Sequence, residues 1–566
     1  MSTREFVEAE QRIRTLTTIL ERMKWQSPPT SEHKAVPPFL QYLATLLTCG
    51  DKHDKDAAKV VAVTGSFLPS GRVQTLVVAQ NPFKSSPVSE LSVQMVHKAD
   101  DPFLDVADVG SNVTSLQDHI TDLWTALASY NPEARDVKDK FTSLALFVVA
   151  RSFRKLRSRF LEDKRLFGGQ RLFEKIEEWQ PNRPELEPRW IVVPSWLDNL
   201  LAESPKIEKQ ELDLNGRAVV QWKLSDETKT EWAMILASML RQLDGAIQKI
   251  MYARQKKTTQ NILTEEERSA ITELHTWCHY LYHFVHWKEG VVKILLTKTS
   301  LADTLSTSMQ ITTTGDETEE LTDLRREPNE AAGAQVLRYL RAVVAWHAAL
   351  DKLCAMPFIK QVVEDLVIGV VEVPPCNTTI LPWEAISREH HHRFSGEAED
   401  DTAIEGVLAQ YYPSEFTGTI HAEATLMGLL TYAHNNQHCN YGGEIQNVAL
   451  LEQILAPANK AIAAGKKCCW CCARLATHLG RHLDTDFKLL GTHGILFGWS
   501  PPTVGVDVAV LRNLETDLWT ELHNALSEAV PLTLSRQSSA SSADAVNPDT
   551  LLPAKMPMWS QSKYTL

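Results

Sequence analysis

At 566 residues the chain is too long for one ordinary hydrophobic core, so two or more domains are expected. Hydrophobic residues make up 43% and charged residues 23%, which excludes a wholly disordered, collagen-like or fibrous chain. The formal charge of −13, from 58 Lys and Arg against 71 Asp and Glu, argues against a protein that coats nucleic acid through its phosphates, although it leaves room for a local basic groove.

No stretch reaches the unbroken apolar length of a membrane-spanning helix. The N-terminal MSTREFVEAEQRIR carries acids where a secretory signal carries an apolar run, so the expected location is intracellular, cytoplasmic or nuclear, with no membrane partner. Residues 1–360 read as a mainly helical region without an assigned function or protein partner. Within it KVVAVTGSFLPSGRVQTLVVAQNP predicts two strands around a Pro-Ser-Gly turn. Trp232, Leu236, Met239, Leu243, Ile247 and Ile250 step by three and four, the core face of a helix. Thr264 with Glu267 predicts a capping box, and a further periodic segment covers about 336–354. The polar, acidic stretch 302–333 has no period and reads as a loop or linker.

Beyond residue 361 short strands alternate with helices: DLVIGVVEVP, a helix around 403–410, the strand-like EFTGTI, a helix from His421, a helix from about Cys469, the strand-like FKLLGTHGILFGW, and a last helix from Val506 to about Ala529. That succession builds an α/β layer over 361–530. The serine-rich 531–566 reads as a disordered tail.

Nine cysteines form no disulfide framework, but Cys468, Cys469, Cys471 and Cys472 fall within five positions. They follow His421-Ala422-Glu423 by 48 positions, counted from His421 to Cys469, and both groups open helices. A hydrolytic zinc takes three protein ligands, commonly imidazole and thiolate, and keeps a fourth position for a water whose pKa it lowers. Two registers supply the thiolates, Cys468 with Cys471 or Cys469 with Cys472. The second is preferred, because Cys472 continues into the apolar stripe Leu475, Ala476 and Leu479, whereas Cys471 continues into the wetter Leu475, His478 and His482. Glu423, two residues after His421, is placed to carry protons from the water to a ring nitrogen and to the departing amine of a base.

His421-Ala422-Glu423 followed by Cys469-x-x-Cys472 resembles the signature of the zinc-dependent cytidine-deaminase-like superfamily. Gly465-Lys466 and Gly491-Thr492-His493-Gly494 are similar to features of its fungal branch, which is related to bacterial toxin-type nucleic acid and nucleotide deaminases. The resemblance covers about 365–530 and implies an α/β fold, a three-layer αβα domain with a mixed sheet, preceded here by the mainly α-helical N-terminal region. It implies Zn2+ on His421, Cys469 and Cys472, with Glu423 as the proton shuttle. It departs from the pattern at Cys468, where many members have proline. The expected activity is hydrolytic deamination of a cytosine- or adenine-type base in a nucleoside, nucleotide or nucleic acid. Asn377, Trp470, His493 and Trp499 are candidates for lining the base pocket, the first three being the substrate-binding set. The alternative is an inactive, zinc-stabilised deaminase-fold interaction module; a third reading is a redox-sensing cysteine cluster.

Other constellations are weaker. His275, His279, His283 and His286 recur along one helix, where imidazoles four apart can clamp a metal, but the sequence shows no further ligand in register, and a partly buried helix margin is the preferred reading. His390, His391 and His392 read as a solvated loop. Arg151, Arg154, Lys155, Arg157 and Arg159 read as a solvated helix face paired with neighbouring acids in preference to a polynucleotide groove.

Overall fold

A computed structural model describes residues 3–27, 36–49, 60–67, 73–82, 88–98, 115–202, 206–214, 217–256, 263–288, 290–306, 330–356, 366–394, 401–434 and 445–541. The protein is α/β, with a mixed sheet inside a largely helical body.

The sheet has six strands in the order β10-β1-β2-β7-β3-β9. They are β1 (Val61–Phe67), β2 (Val73–Gln80), β3 (Leu91–Val96), β7 (Val367–Glu372), β9 (Ile445–Gln446) and β10 (Asn459–Ala464). Three of the six therefore come from before residue 100, and the sheet crosses the division expected at 360/361. The predicted strand pair is present as the antiparallel β1 and β2, but its other edges are long-range. β1 pairs with β10 through Ala62 opposite Ala464, and β2 runs parallel to β7 with Val77 opposite Gly369.

Because successive side chains of a strand point to opposite faces, the sheet feeds two cores. Val61, Val63, Leu76 and Val78 enter one core. Ala62, Val77 and Ala79 enter the other. The first core is the helical body: α2 (Pro38–Leu47), α3 (Leu116–Ser129), α4 (Val137–Leu161), α5 (Asp163–Leu166), α6 (Leu172–Glu177), α7 (Ser195–Ala202), α8 (Lys229–Gln255), α9 (Glu265–Val285), α10 (Val291–Lys298), α11 (Leu301–Ser306), α12 (Ala332–Val343) and α13 (Ala345–Cys354). All six stripe residues from Trp232 to Ile250 are buried on α8. The Thr264 hydroxyl accepts the Glu267 N–H (3.1 Å), and the Glu267 carboxylate accepts from Arg254 (2.8 Å). The segment 336–354 is two helices, broken at Val344 (φ −95°, ψ 13°).

An antiparallel sheet in the order β4 (Arg189–Val192), β6 (Arg217–Leu224), β5 (Lys209–Leu214) was not expected from the sequence. The expected linker 302–333 is helical at both ends, where α11 and α12 run; 307–329 lies outside the described residues.

The second core holds α1 (Thr3–Arg22), α14 (Trp383–Phe394), α15 (Asp401–Tyr411), α16 (Ala422–His434), α17 (Val448–Leu455), α18 (Trp470–His482) and α19 (Val508–Ser541). EFTGTI and FKLLGTHGILFGW contribute only the two-residue parallel strands β8 (Thr419–Ile420) and β11 (Trp499–Ser500). The last helix runs on to Ser541, so 531–541 is helical where a disordered tail was expected, and 542–566 lies outside the described residues. His390 is a further correction. It sits in α14, buried, with its ring 5.1 Å from Phe394 and 5.5 Å from His523, while His391 and His392 are exposed.

The basic segment on α4 is not the solvated face expected, although Arg151 does pair with an acid. Arg151 donates to Asp122 (2.5 Å), Lys155 is buried, and Arg159 donates to the Ala342 carbonyl and lies 4.6 Å from the centre of the Trp346 ring. Among the described residues no helix is long and apolar enough to cross a membrane.

Candidate metal centre

His421 occupies the N-terminal cap of α16. Its carbonyl accepts the first helical N–H, from Thr425 (2.9 Å). The Ala422 N–H, one of the donors that a helix start leaves unpaired, is accepted by Asn81 Oδ1 (2.8 Å) from the end of β2. Cys469 caps α18 in the same way: its carbonyl accepts from Ala473 (3.1 Å), and its Sγ accepts the Cys472 N–H (3.4 Å). Two helix starts, each with its partial positive charge, thus face one spot, a setting that favours thiolate.

At that spot one ligand atom each from His421, Cys469 and Cys472 lies within 4.8 Å of the others, and all three residues are buried. Cys472 Sγ stands 3.7 Å from His421 Nδ1. Of the four sulfurs, Cys469 differs from the other three. Burial would raise the Cys469 thiol, but hydrogen bonds from Cys471 and Cys472 and the charge of His421 outweigh it and hold it well below its ordinary value. Burial, with the Cys469 charge nearby, pushes Cys471 and Cys472 well above theirs. Cys468 is likewise pushed up by burial and hydrogen-bonds Thr492. The group whose atoms converge is the Cys469 and Cys472 register and could hold a metal ion, with Cys468 and Cys471 beside it as buried thiols.

Glu423, in the first turn of α16, is only 4% exposed. Burial raises its carboxyl pKa, the charges of His421 and Lys466 pull it down, and the nearby Cys469 pushes it up; the net direction is upward.

The remaining predicted residues are placed unevenly. Trp470 is buried as the first residue of α18, where its N–H donates to the Ile495 carbonyl (3.0 Å) and Arg474 lies 5.3 Å from its ring centre. His493 is half-buried; its Nδ1 accepts the Ile495 N–H (3.1 Å) and its ring stands 5.6 Å from Phe497. Phe497, which the sequence reading passed over, is in turn 6.2 Å from the His421 ring, so His493 and Phe497 border the ligand group. Asn377 does not join them in any contact. It is exposed, and its Oδ1 closes a local turn by accepting the Thr379 N–H (2.9 Å) and hydroxyl (2.7 Å). Trp499 is fully buried and pairs with Thr419.

The strands before and behind the centre are held by contacts distant in sequence. Thr17 of α1 donates its hydroxyl to the Trp499 carbonyl and accepts the Trp499 N–H, both at 3.1 Å. Gly418 lies against Gly498 so closely that a Cβ on Gly418 would stand 2.0 Å from the Gly498 carbonyl oxygen. No protein family, no curated protein and no solved structure matches the chain.

Proposed function

We propose that the protein is a zinc-dependent hydrolytic deaminase of a cytosine- or adenine-type base, with a three-layer deaminase-like domain around the centre. The observation that carries the reading is the buried His421, Cys469 and Cys472 group with the buried Glu423 two residues after His421, close enough to feel the charges of His421 and Cys469. One imidazole and two sulfur donors suit zinc, and the uneven thiol pKa values leave one thiolate ready.

When bound, zinc supplies Lewis acidity toward a water. His421, Cys469 and Cys472 hold it between two helix starts. The Glu423 carboxylate would take one proton from the water and deliver it to the ring nitrogen beside the amino-bearing carbon, then take the second proton of that water from the new hydroxyl and pass it to the departing nitrogen. Water and amine are exchanged for carbonyl and ammonia, and the carboxylate ends as it began. A pKa raised by burial brings this group nearer to neutrality, where a shuttle must both accept and release. His493 and Phe497 offer a hydrogen-bonding edge and an aromatic face beside the centre. The near-complete burial of all four central residues favours the second reading, a closed zinc-stabilised interaction module, on that one point.

Ammonia release from a panel of nucleosides, nucleotides and oligonucleotides separates the two. Wild type should release ammonia, Glu423→Gln should lose at least about 100-fold in rate while keeping its metal, and His421→Ala should lose both. A metal-loaded wild type that releases no ammonia from the panel would leave the module as the function.

A further inference from the structure

The first core contains a second group of side chains able to ligate a metal, built wholly of imidazole. His279 and His283 lie one turn apart on α9, and His347 meets them from α13, 68 positions away. One ligand nitrogen from each of the three lies within 4.8 Å of the others. His279 Nδ1 and His347 Nε2 are 3.2 Å apart. That separation suits a hydrogen bond between rings, and it equally suits one edge of a coordination shell, since two nitrogens held about 2.0–2.1 Å from one tetrahedral ion stand roughly 3.3 Å from each other.

Two further observations accompany this geometry. None of the three pairs is stacked: the ring planes cross at 74° for His279 and His283, 80° for His279 and His347, and 72° for His283 and His347. The two helices are also tied to each other beside the group. Tyr282, whose ring centre is 5.1 Å from that of His347, donates its hydroxyl to Asp351 Oδ2 (2.7 Å), and Asp351 lies one turn beyond His347 on α13.

We propose that His279, His283 and His347 form a second metal site, for a divalent transition-metal ion of the zinc, nickel and copper class, which fastens α9 to α13. Imidazoles without an oxygen ligand exclude magnesium and calcium as the fitted ions. His279 and His283 are half-buried, which gives an ion access from solvent. The site stands independently of whether the His421 centre is catalytic.

The test is a Co2+ titration of the full-length, chelator-stripped protein, wild type beside His279→Gln, His283→Gln and His347→Gln. Thiolate-to-cobalt charge-transfer absorption reports the cysteine centre alone, so the two sites are read separately. The expected result is a Co2+ equivalent without that absorption, weakened at least about 100-fold in each folded variant while the thiolate signal is unchanged. Wild type should also gain thermal stability from this second equivalent, and the variants should not. Should the buried His347→Gln fail to fold, the two half-buried positions decide. Absence of a thiolate-free equivalent, or one that binds His279→Gln and His283→Gln as tightly as wild type, overturns the site.

Discussion

At the scale of single residues the cysteine cluster makes a prediction through its protons. Cys469 is held below its ordinary pKa, whereas Cys472 is pushed above it by burial and by the neighbouring charge. The metal-free centre therefore favours thiolate at Cys469 over Cys472, and a metal that takes both sulfurs must displace the Cys472 proton. Zinc uptake by this centre should release protons, that of Cys472 among them, and its apparent affinity should rise as pH rises. Calorimetry in buffers of different ionisation enthalpy measures that release, and a pH-independent affinity would contradict the assignment. His421, Cys469 and Cys472 were legible in the sequence because a helix start is a local event: the residues that cap it and the stripe that buries it lie within a few positions. Asn81 was not, since the N–H it accepts is 341 positions away, and Phe497 was not, since one aromatic residue carries no spacing signal.

Among elements, the contact between α9 and α13 makes the stability depend on acid. Burial holds His275 and His279 down to about 4, and burial with three histidine neighbours holds His347 down to about 2. Asp351 opposes the shift at His279 and His283, and Lys352 adds to it at His283. In the unfolded chain these rings titrate near 6.5. Between about 6.5 and 4 the unfolded state binds more protons, so the stability from these residues is fully present above 6.5 and is lost as pH falls toward 4. Each contributes a slope of at most about 1.4 kcal/mol per pH unit. Urea unfolding of the chelator-treated protein from pH 7 to 4.5 should show this loss, and His275→Gln and His279→Gln should each flatten it. A wild-type slope unchanged by either variant would mean that the rings are solvated. α8 and the Thr264 cap were readable from periodicity and capping chemistry. α14 was not: only Ile386 and His390 of its twelve residues are buried, too few apolar positions to show a period.

For the whole molecule the sheet is the shared wall of both cores, and its order decides what can fold alone. β7 has only β2 and β3 as ladder partners, and β10 pairs along its length with β1. Pairings across some 300 to 400 positions leave no trace in local patterning, which is why a division at 360/361 looked natural in the sequence. A fragment of residues 361–530 would leave both edges of β7 and the paired edge of β10 bare, remove Asn81 from the start of α16, and take away α1, whose Phe6, Ile13, Leu16 and Leu20 are buried in the second core. Unpaired backbone at the edges and uncovered apolar faces are each sufficient to prevent a single native state. The fragment should therefore show no cooperative thermal transition and should not bind zinc at the His421 centre, whereas the full chain should do both. Co-expression with residues 1–360 should restore a complex containing the two pieces, because the missing strands and α1 return together. A cooperative, zinc-loaded 361–530 fragment would show that the first three strands are an addition to a self-sufficient domain.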